Sequence, residues 1–400
     1  MFTLAVIVGA FFRMSPLHDP VSGGIPEGVQ LVLPVTYILI SPLSRVFDML
    51  GLLSIGQDVA VGLTVIVVSF LTAAVWEHGG RGRRIWRPIS IAGVSLGVLV
   101  AVYACGATLP RPMASLAVND PNVLRVDFHS HTNASKDARV GFSPEENRAW
   151  HHAGGFDVAY VSDHRTFVGA KEGLRRNPAR AGESTVLLSA LEGRYLGTFE
   201  IFLSVTEADS AALINTHQHL VEGKLSSGRV PVSVVALPSP LVDVQSLARD
   251  GPPHIAAIEI VDGSPRGFTQ RDRDGKLIMR RADSLGIALV TGSNNHGWDR
   301  VVSAWTLIVI PGWRALTPDS LAAVIENTLR TSPRTAVRVV ERRRPGLITP
   351  IGLTLTVPVI FAQLLAELTI RERIVWLLWI WAAAFIWYSL RSRRSIATLR

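Results

Sequence analysis

His129 and His131 stand two residues apart at the end of a β-prone run, Val123 to Phe128. Residues i and i+2 of an extended chain face the same way, so the two imidazoles address one point. Imidazole is a ligand for zinc, iron and manganese. Asp137, six residues further on, can return a carboxylate to the same place. The arrangement then recurs. Phe156 to Ser162 is an apolar run followed by Asp163 and His164. Thr185 to Leu191 leads into Glu192, and Ile287 to Thr291 leads into Gly292-Ser293-Asn294-Asn295-His296. Any one of these residues alone is more often a satisfied structural group. Four strand ends that carry His, Asp or Glu predict a shared metal site, because in β/α folds chemistry gathers where strand C-termini open into loops.

Further apolar β-prone runs, Phe199 to Val205, Val230 to Leu237 and Ile255 to Val261, supply more strands. Helix starts lie between the runs. Ser143-Pro144-Glu145-Glu146 has an N-cap serine, a first-turn proline and acids at the positive helix end. Thr317-Pro318-Asp319 begins a second helix that runs to Arg330, and Pro311 to Ala315 reads as a loop. Strands alternating with helices predict an α/β parallel sheet or barrel. The stretch Arg271 to Lys276 lacks the acids of a calcium loop, since Gln270 and Arg281 stand where they are needed, and a tight turn at Asp274-Gly275 is expected. No glycine-rich phosphate loop precedes a Lys-Ser or Lys-Thr pair.

From about Leu124 to Arg330 the order and context of these motifs resemble the polymerase and histidinol phosphatase (PHP) family. The series is Asp-x-His-x-His, Ser-x-Asp, Ser-Pro-Glu-Glu, Ser-Asp-His, Glu and Gly-Ser-x-x-His. The resemblance implies a distorted (β/α)7 barrel with two or three divalent metal ions at the strand C-termini, and phosphoester hydrolysis. It implies His129, His131, Asp137, His164, Glu192 and His296 as ligands, with Glu192 bridging metals. Asp163 matches the neighbour of a ligand histidine and would orient it. Two positions depart from the family pattern. Asn294 stands where the last motif usually has aspartate; its amide oxygen can still coordinate but brings no charge. Leu237-Pro238 stands where the family places His-Pro, and leucine cannot ligate. His217 and His219 lie nearby in a probable helix but would face different ways.

The expected chemistry is hydrolysis of a phosphate ester. Oxygen and imidazole donors suit zinc, manganese or iron. A metal lowers the pKa of water so that hydroxide is available near neutral pH. Glu192 and Asp163 would serve the catalytic centre, and Arg165 and Arg194, with Arg139 third, would hold the remaining phosphate oxygens. Two other readings follow from Asn294 and Leu237: a catalytically degenerate PHP domain that binds metal or ligand for signalling or scaffolding, and a PHP-type protein tyrosine phosphatase.

Hydrophobic residues make up 48% of the 400 residues and charged ones 18%, too apolar for one soluble domain. The apolar residues bunch at the two ends. This divides the chain into an N-terminal membrane region (1–110), a linker (111–122), the PHP-like domain (123–341) and a C-terminal membrane hairpin with a basic tail (342–400). Val59 to Trp76 and Ile89 to Leu109 are long enough to span a bilayer, and Ser41 to Gln57 could lie in its interface. Gly93 and Gly97 are spaced for close helix contact. Leu347 to Leu368 and Ile374 to Leu390 read as a hairpin turned at Arg371-Glu372-Arg373, with Trp376, Trp379, Trp381, Trp387 and Tyr388 suited to the interfaces. Met1 to Phe12 is apolar but has neither a basic start nor a cleavage site. A multi-pass protein of the cell membrane is expected, in contact with lipid and acting on a phosphorylated small molecule or a lipid-linked substrate. The net charge of +8 comes from arginines grouped beside apolar segments, which fits a membrane surface and not nucleic acid. By charge, Arg81 to Arg87 and Arg342 to Arg344 place the domain on opposite sides of the membrane, unless one apolar segment does not span. The one cysteine, Cys105, excludes a disulfide framework.

Overall fold

A computed structural model of the chain describes residues 2–75, 86–195, 198–216, 229–237, 254–346 and 349–397. His217, His219, Pro238 and residues 81–85 lie outside that set.

The β-prone runs all become strands. Among the described residues these are β1 (Leu17–His18), β2 (Val29–Val32), β3 (Ser115–Val118), β4 (Val123–Ser130), β5 (Val158–Val161), β6 (Val186–Tyr195), β7 (Thr198–Leu203), β8 (Val232–Val235), β9 (Ile255–Asp262), β10 (Ala288–Gly292), β11 (Ala304–Val309) and β12 (Val337–Arg342). Ten of them form one mixed sheet in the order β1-β12-β11-β4-β5-β6-β7-β8-β9-β10. The sheet curls so that its last strand, β10, comes back against β4 and β11. Ser130 bridges to Asn295, and Thr291 N–H donates to Thr306 Oγ1 at 2.8 Å. The fold is thus mixed α/β and barrel-like. Both faces of the inner strands are covered: Val158 and Tyr160 of β5 join one apolar cluster, while Ala159 and Val161 join another with Ala170. That double cover is why these strands read as continuous apolar runs.

Of the expected parallel sheet or barrel, the structure shows a barrel-like sheet that is mixed and not parallel throughout. β4–β5, β5–β6, β8–β9 and β9–β10 pair parallel, but β6–β7 and β7–β8 pair antiparallel, as do β11 and β12. Only two residues separate β6 from β7. A parallel crossover needs a dozen or more, so this pair can only be antiparallel. The stretch 111–122 carries β3, which pairs with β2, and β1 joins the main sheet beside β12.

The helices at Pro144–Ala153 and Pro318–Thr331 start at their expected caps, Ser143 and Thr317. The turn expected at Asp274-Gly275 is the middle of a helix, Pro265–Leu285. Ser264 caps it, Pro265 opens it and Gly286, at φ 69°, closes it, while Phe268, Ile278 and Ala282 give it a buried face.

Among the described residues, three helices are long and apolar enough to cross a membrane: Ile55–Ala74, Trp86–Thr108 and Ile370–Ser392. The expected C-terminal hairpin is corrected. Its first half is broken into Pro350–Thr354 and Thr356–Glu367, too short to span. Gln363 and Glu367 are buried there, and Gln363 Nε2 donates to Glu367 Oε1 (2.7 Å) and to the Arg343 carbonyl (2.9 Å). Among the described residues, no other helix or strand comes within 4 Å of where a Cβ on Gly93 or Gly97 would sit. The helix Ser41–Leu50, expected along the interface, buries its charges. Arg45 Nε donates to Glu372 Oε1 at 2.7 Å, and Asp48 accepts from Arg342 (2.7 Å), Arg111 and the Tyr37 hydroxyl (2.8 Å). This cluster ties the start of the third long helix to the end of β12.

Candidate metal centre

β4 ends in His129 and Ser130, with His131 directly after it, and its pairing with β5 loses register between Asp127 and Ser130. Such irregularities re-aim side chains beside functional sites. His129 Nε2 lies 3.1 Å from His131 Nε2 and 3.0 Å from Glu192 Oε2, and His131 Nε2 lies 3.4 Å from the same oxygen. Three donors around an ion at about 2.1 Å stand roughly 3.4 Å apart in a tetrahedron. The spacing fits a metal.

Glu192 Oε2 also lies 3.3 Å from His164 Nδ1, so one carboxylate oxygen sits among three imidazoles. Beyond it, Asp137 Oδ2 is 3.3 Å from both His164 Nε2 and His296 Nε2. The His131 ring stacks on His164 (4.6 Å) and on His296 (4.1 Å). His296 Nε2 is buried without a hydrogen-bond partner among the described residues, an orphan that a cation would satisfy. His129, His131, Asp137, His164, Glu192 and His296 are therefore brought together, and all of them but Asp137 fall in groups able to hold an ion.

Two residues that sequence reasoning missed complete the surroundings. Glu259 and Asp262 on β9 are fully buried and form a third group with His129. Glu259 Oε1 lies 3.0 Å from His129 Nδ1, while its other oxygen accepts from Leu237 N–H at 2.7 Å. A carboxylate on Nδ1 keeps the proton there and leaves Nε2 free to ligate. The third group therefore supports the first instead of forming a separate centre. Gly292 permits the contact, since a Cβ there would come 2.2 Å from Glu259 Oε1. The missed signal was a pair of acids inside an otherwise apolar strand, Ile255-Ala-Ala-Ile-Glu259-Ile-Val-Asp262.

Asn294 takes a left-handed conformation, φ 47°, and turns its amide NH2 to Asp262 Oδ2 at 2.9 Å. Its backbone carbonyl lies 2.9 Å from His296 Nδ1, which again leaves the other ring nitrogen for the site. The negative charge that Asn294 does not bring is present on β9. Asp163 binds Thr132 twice, at 2.7 Å from its N–H and 2.7 Å from its hydroxyl, and so fixes the loop after His131.

Charge is shared unevenly. Burial alone would lower His129, but Glu259 and Glu192 outweigh it and hold the imidazole well above its ordinary pKa. Burial opposes ionisation of Glu192, yet His129 and His131 hold it well below the carboxylate range. Burial and then Glu259 push Asp262 up to about 7. Burial pushes Asp163 up to about 6, against the pull of Thr132.

The arginines divide. Arg165, exposed and at φ 54°, follows His164 and lines a cavity of about 640 Å³ with Phe167, Lys171 and Arg175. Non-glycine residues held in this backbone region cluster at functional sites. Arg139 is engaged with the Gly297 carbonyl (2.8 Å) and Glu146 (2.8 Å). Arg194 lies over the Phe199 ring at 5.7 Å.

No protein-family model matches the chain, and no curated protein matches its sequence. Among solved structures it is similar to PsfC from Pseudomonas syringae PB-5123, with 20% identity over 60% of this chain and 98% of that one, at a TM-score of 0.37. It is also similar to an amidohydrolase from Chromobacterium violaceum with bound sulfate and no metal, with 15% identity over 48% of this chain and 89% of that one, at a TM-score of 0.31. Likenesses this slight carry no chemistry across. What the chain itself provides is a mixed α/β, barrel-like fold whose strand ends gather His, Asp and Glu groups able to hold divalent metal.

Proposed function

We propose that this protein is a membrane-anchored, metal-dependent hydrolase of phosphate esters. The observation that carries the reading is the convergence of His129, His131 and His164 on one oxygen of Glu192 at 3.0 to 3.4 Å. A divalent ion bound there would supply charge neutralisation for phosphoryl oxygens and an acidified water. The chain's own part is preorganisation. Glu259 aims His129, the Asn294 carbonyl aims His296, and Asp163 holds the loop behind His131. Arg165 is the cation best free to meet a phosphate oxygen, since Arg139 is already bonded to Gly297 and Glu146. The test is metal content of the full chain in detergent together with turnover of a generic aryl phosphate. Metal without turnover would favour the non-catalytic binding protein, and turnover confined to a phosphotyrosyl peptide the tyrosine phosphatase.

The helix ends support an orientation as well. Tyr103 donates to Asp58 at 2.7 Å, joining the start of Ile55–Val75 to the end of Trp86–Thr108, so the two run antiparallel with both these ends at the barrel. The helix Ile370–Ala397 starts at the barrel too, through Glu372 and Arg45. Arg87, at the start of Trp86–Thr108, and Arg391, near the end of Ile370–Ala397, then fall at the far ends. Arg342 and Arg344 are neutralised by Asp48, Glu341 and Asp272. With the basic ends cytoplasmic, the barrel is extracytoplasmic. In a Cys105→Ser background, an impermeant thiol reagent on intact cells should label Asp120→Cys and spare Ser392→Cys; the reverse pattern overturns the orientation.

A further inference from the structure

We infer that the rim of the metal mouth lies on the bilayer surface, and that the phosphate it accepts is carried by a membrane lipid. The substrate half of this rests on the hydrolytic reading above; the placement of the rim does not.

The strand ends fix which way the mouth faces. β11 is antiparallel to β4 with Thr306 opposite Val126, and β12 is antiparallel to β11 with Glu341 opposite Ala304. The C-terminal end of β12 therefore lies at the same end of the sheet as His129. It is there that Arg342 meets Asp48, at 2.7 Å. β9 ends at Asp262, and seven residues later Thr269 Oγ1 accepts from the N–H of Ile55, the first residue of a membrane-length helix, at 3.2 Å. Val301 packs on Gly51, where a Cβ would come 2.8 Å from Val301 Cγ1. Five residues span at most about 18 Å, so His296 is no further than that from Val301. Gly51 in turn is four residues from the start of the helix. The metal mouth is thus the membrane-proximal end of the barrel.

The rim has the composition of a lipid-facing surface. Among the described residues of 123–341, the exposed large apolar side chains are Val140 (94%), Val168 (65%), Phe199 (36%), Trp298 (47%) and Val309 (42%). Three of these five follow candidate ligands: Val140 comes after Asp137, Val168 after His164 and Trp298 after His296. Scattered exposed apolar residues need no explanation, but three on three ligand loops of one mouth form a pattern. Val309 is the internal contrast, since it pairs with Val123 at the opposite end of the sheet. Arg139 and Arg165 lie on the same loops, and Arg139 ties the first to the third through the Gly297 carbonyl. Apolar tips among arginines suit an interface where acyl chains and anionic headgroups meet. A water-soluble phosphate ester requires no such rim.

Two measurements on the full chain test this. In a Cys105→Ser background, nitroxide labels on Val140→Cys, Trp298→Cys and Val309→Cys are compared in phosphatidylcholine vesicles containing phosphatidic acid. Labels at 140 and 298 should be relaxed more by oxygen than by a water-soluble nickel chelate, and the label at 309 the reverse. An aqueous signature at 140 and 298 overturns the proposal whatever the hydrolytic activity. In the second arm, release of phosphate from the phosphatidic acid is compared with turnover of an aryl phosphate. The Val140→Asp, Trp298→Glu double variant should lower the lipid-to-aryl rate ratio at least tenfold, and Val309→Asp should leave it unchanged. An unchanged ratio in the double variant, or aryl turnover with the lipid untouched, removes the lipid substrate. Lipid-depth labels with neither substrate hydrolysed would uphold the rim and sink the hydrolytic reading instead.

Discussion

Asp48 and Glu192 are both carboxylates sealed from solvent, at 2% and 8% exposure, and both belong to clusters of charge. Their partners differ in kind. Asp48 faces the guanidinium groups of Arg342 and Arg111, and beside it Arg45 faces Glu372 at 2.7 Å and Glu367 at 3.8 Å. Each carboxylate in that clasp meets an arginine whose charge cannot be removed. Around Glu192 the partners are three imidazoles, and among the described residues no arginine or lysine pairs with Glu192, Glu259, Asp262 or Asp137. The clasp satisfies itself and joins the barrel to the membrane-length helices. The mouth has no permanent positive charge to match its carboxylates, a setting that favours a metal ion. Burial alone therefore does not mark a functional charge cluster; the permanence of its counter-charges does.

Replacing both His129 and His131 with alanine should sharpen the contrast most. Nearly all bound transition metal should disappear by elemental mass spectrometry, while far-ultraviolet circular dichroism stays native. Retained metal would mean the site has been misplaced. Next in size is Asp48→Ala in the clasp. It strands Arg342 and Arg111 in a buried place, which costs about 3–5 kcal/mol when one member of a buried pair is removed. Thermal unfolding of the full chain in detergent should shift down accordingly, with metal content per folded chain unchanged. A loss of metal equal to that in the histidine variant would erase the distinction drawn here.

Glu259→Gln should have a smaller effect, because it removes the charge behind His129 without touching a ligand. Metal affinity should fall about 10–100-fold, the usual range for such outer partners. Competition with a chromophoric chelator reads this directly, and an unaltered affinity would return Glu259 to a purely structural role. Asn294→Asp should do least. It sets a second carboxylate against Asp262, now 2.9 Å from the amide, so one of the two stays protonated and little charge is gained. Metal stoichiometry should not rise above the parent; a clear rise would make residue 294 a direct ligand after all.

The sequence by itself determined the strands, the caps and most of the residues that converge at the candidate site. These are local matters. An apolar run of β-branched residues is legible at once, a serine before proline and two acids marks a helix start, and His-x-His at a strand end faces one way whatever surrounds it. The acids of β9 were not legible, because the use of Glu259 depends on a strand 130 residues away bringing His129 within 3.0 Å. Nor was the role of Asn294, since its partner Asp262 is supplied by that same closure. The antiparallel turn of the sheet was implicit in the two residues between β6 and β7, but the alternation of strands with helices spoke louder. In the apolar ends, hydropathy counts residues and cannot tell lipid from protein as the apolar neighbour. Only the tertiary structure decided that Thr356–Glu367 buries its polar residues against the Arg45 clasp while Ile370–Ser392 stays bare. In the proposed orientation that difference also turns the mouth toward the membrane, because the direction of a helix is fixed by what its first residues bind.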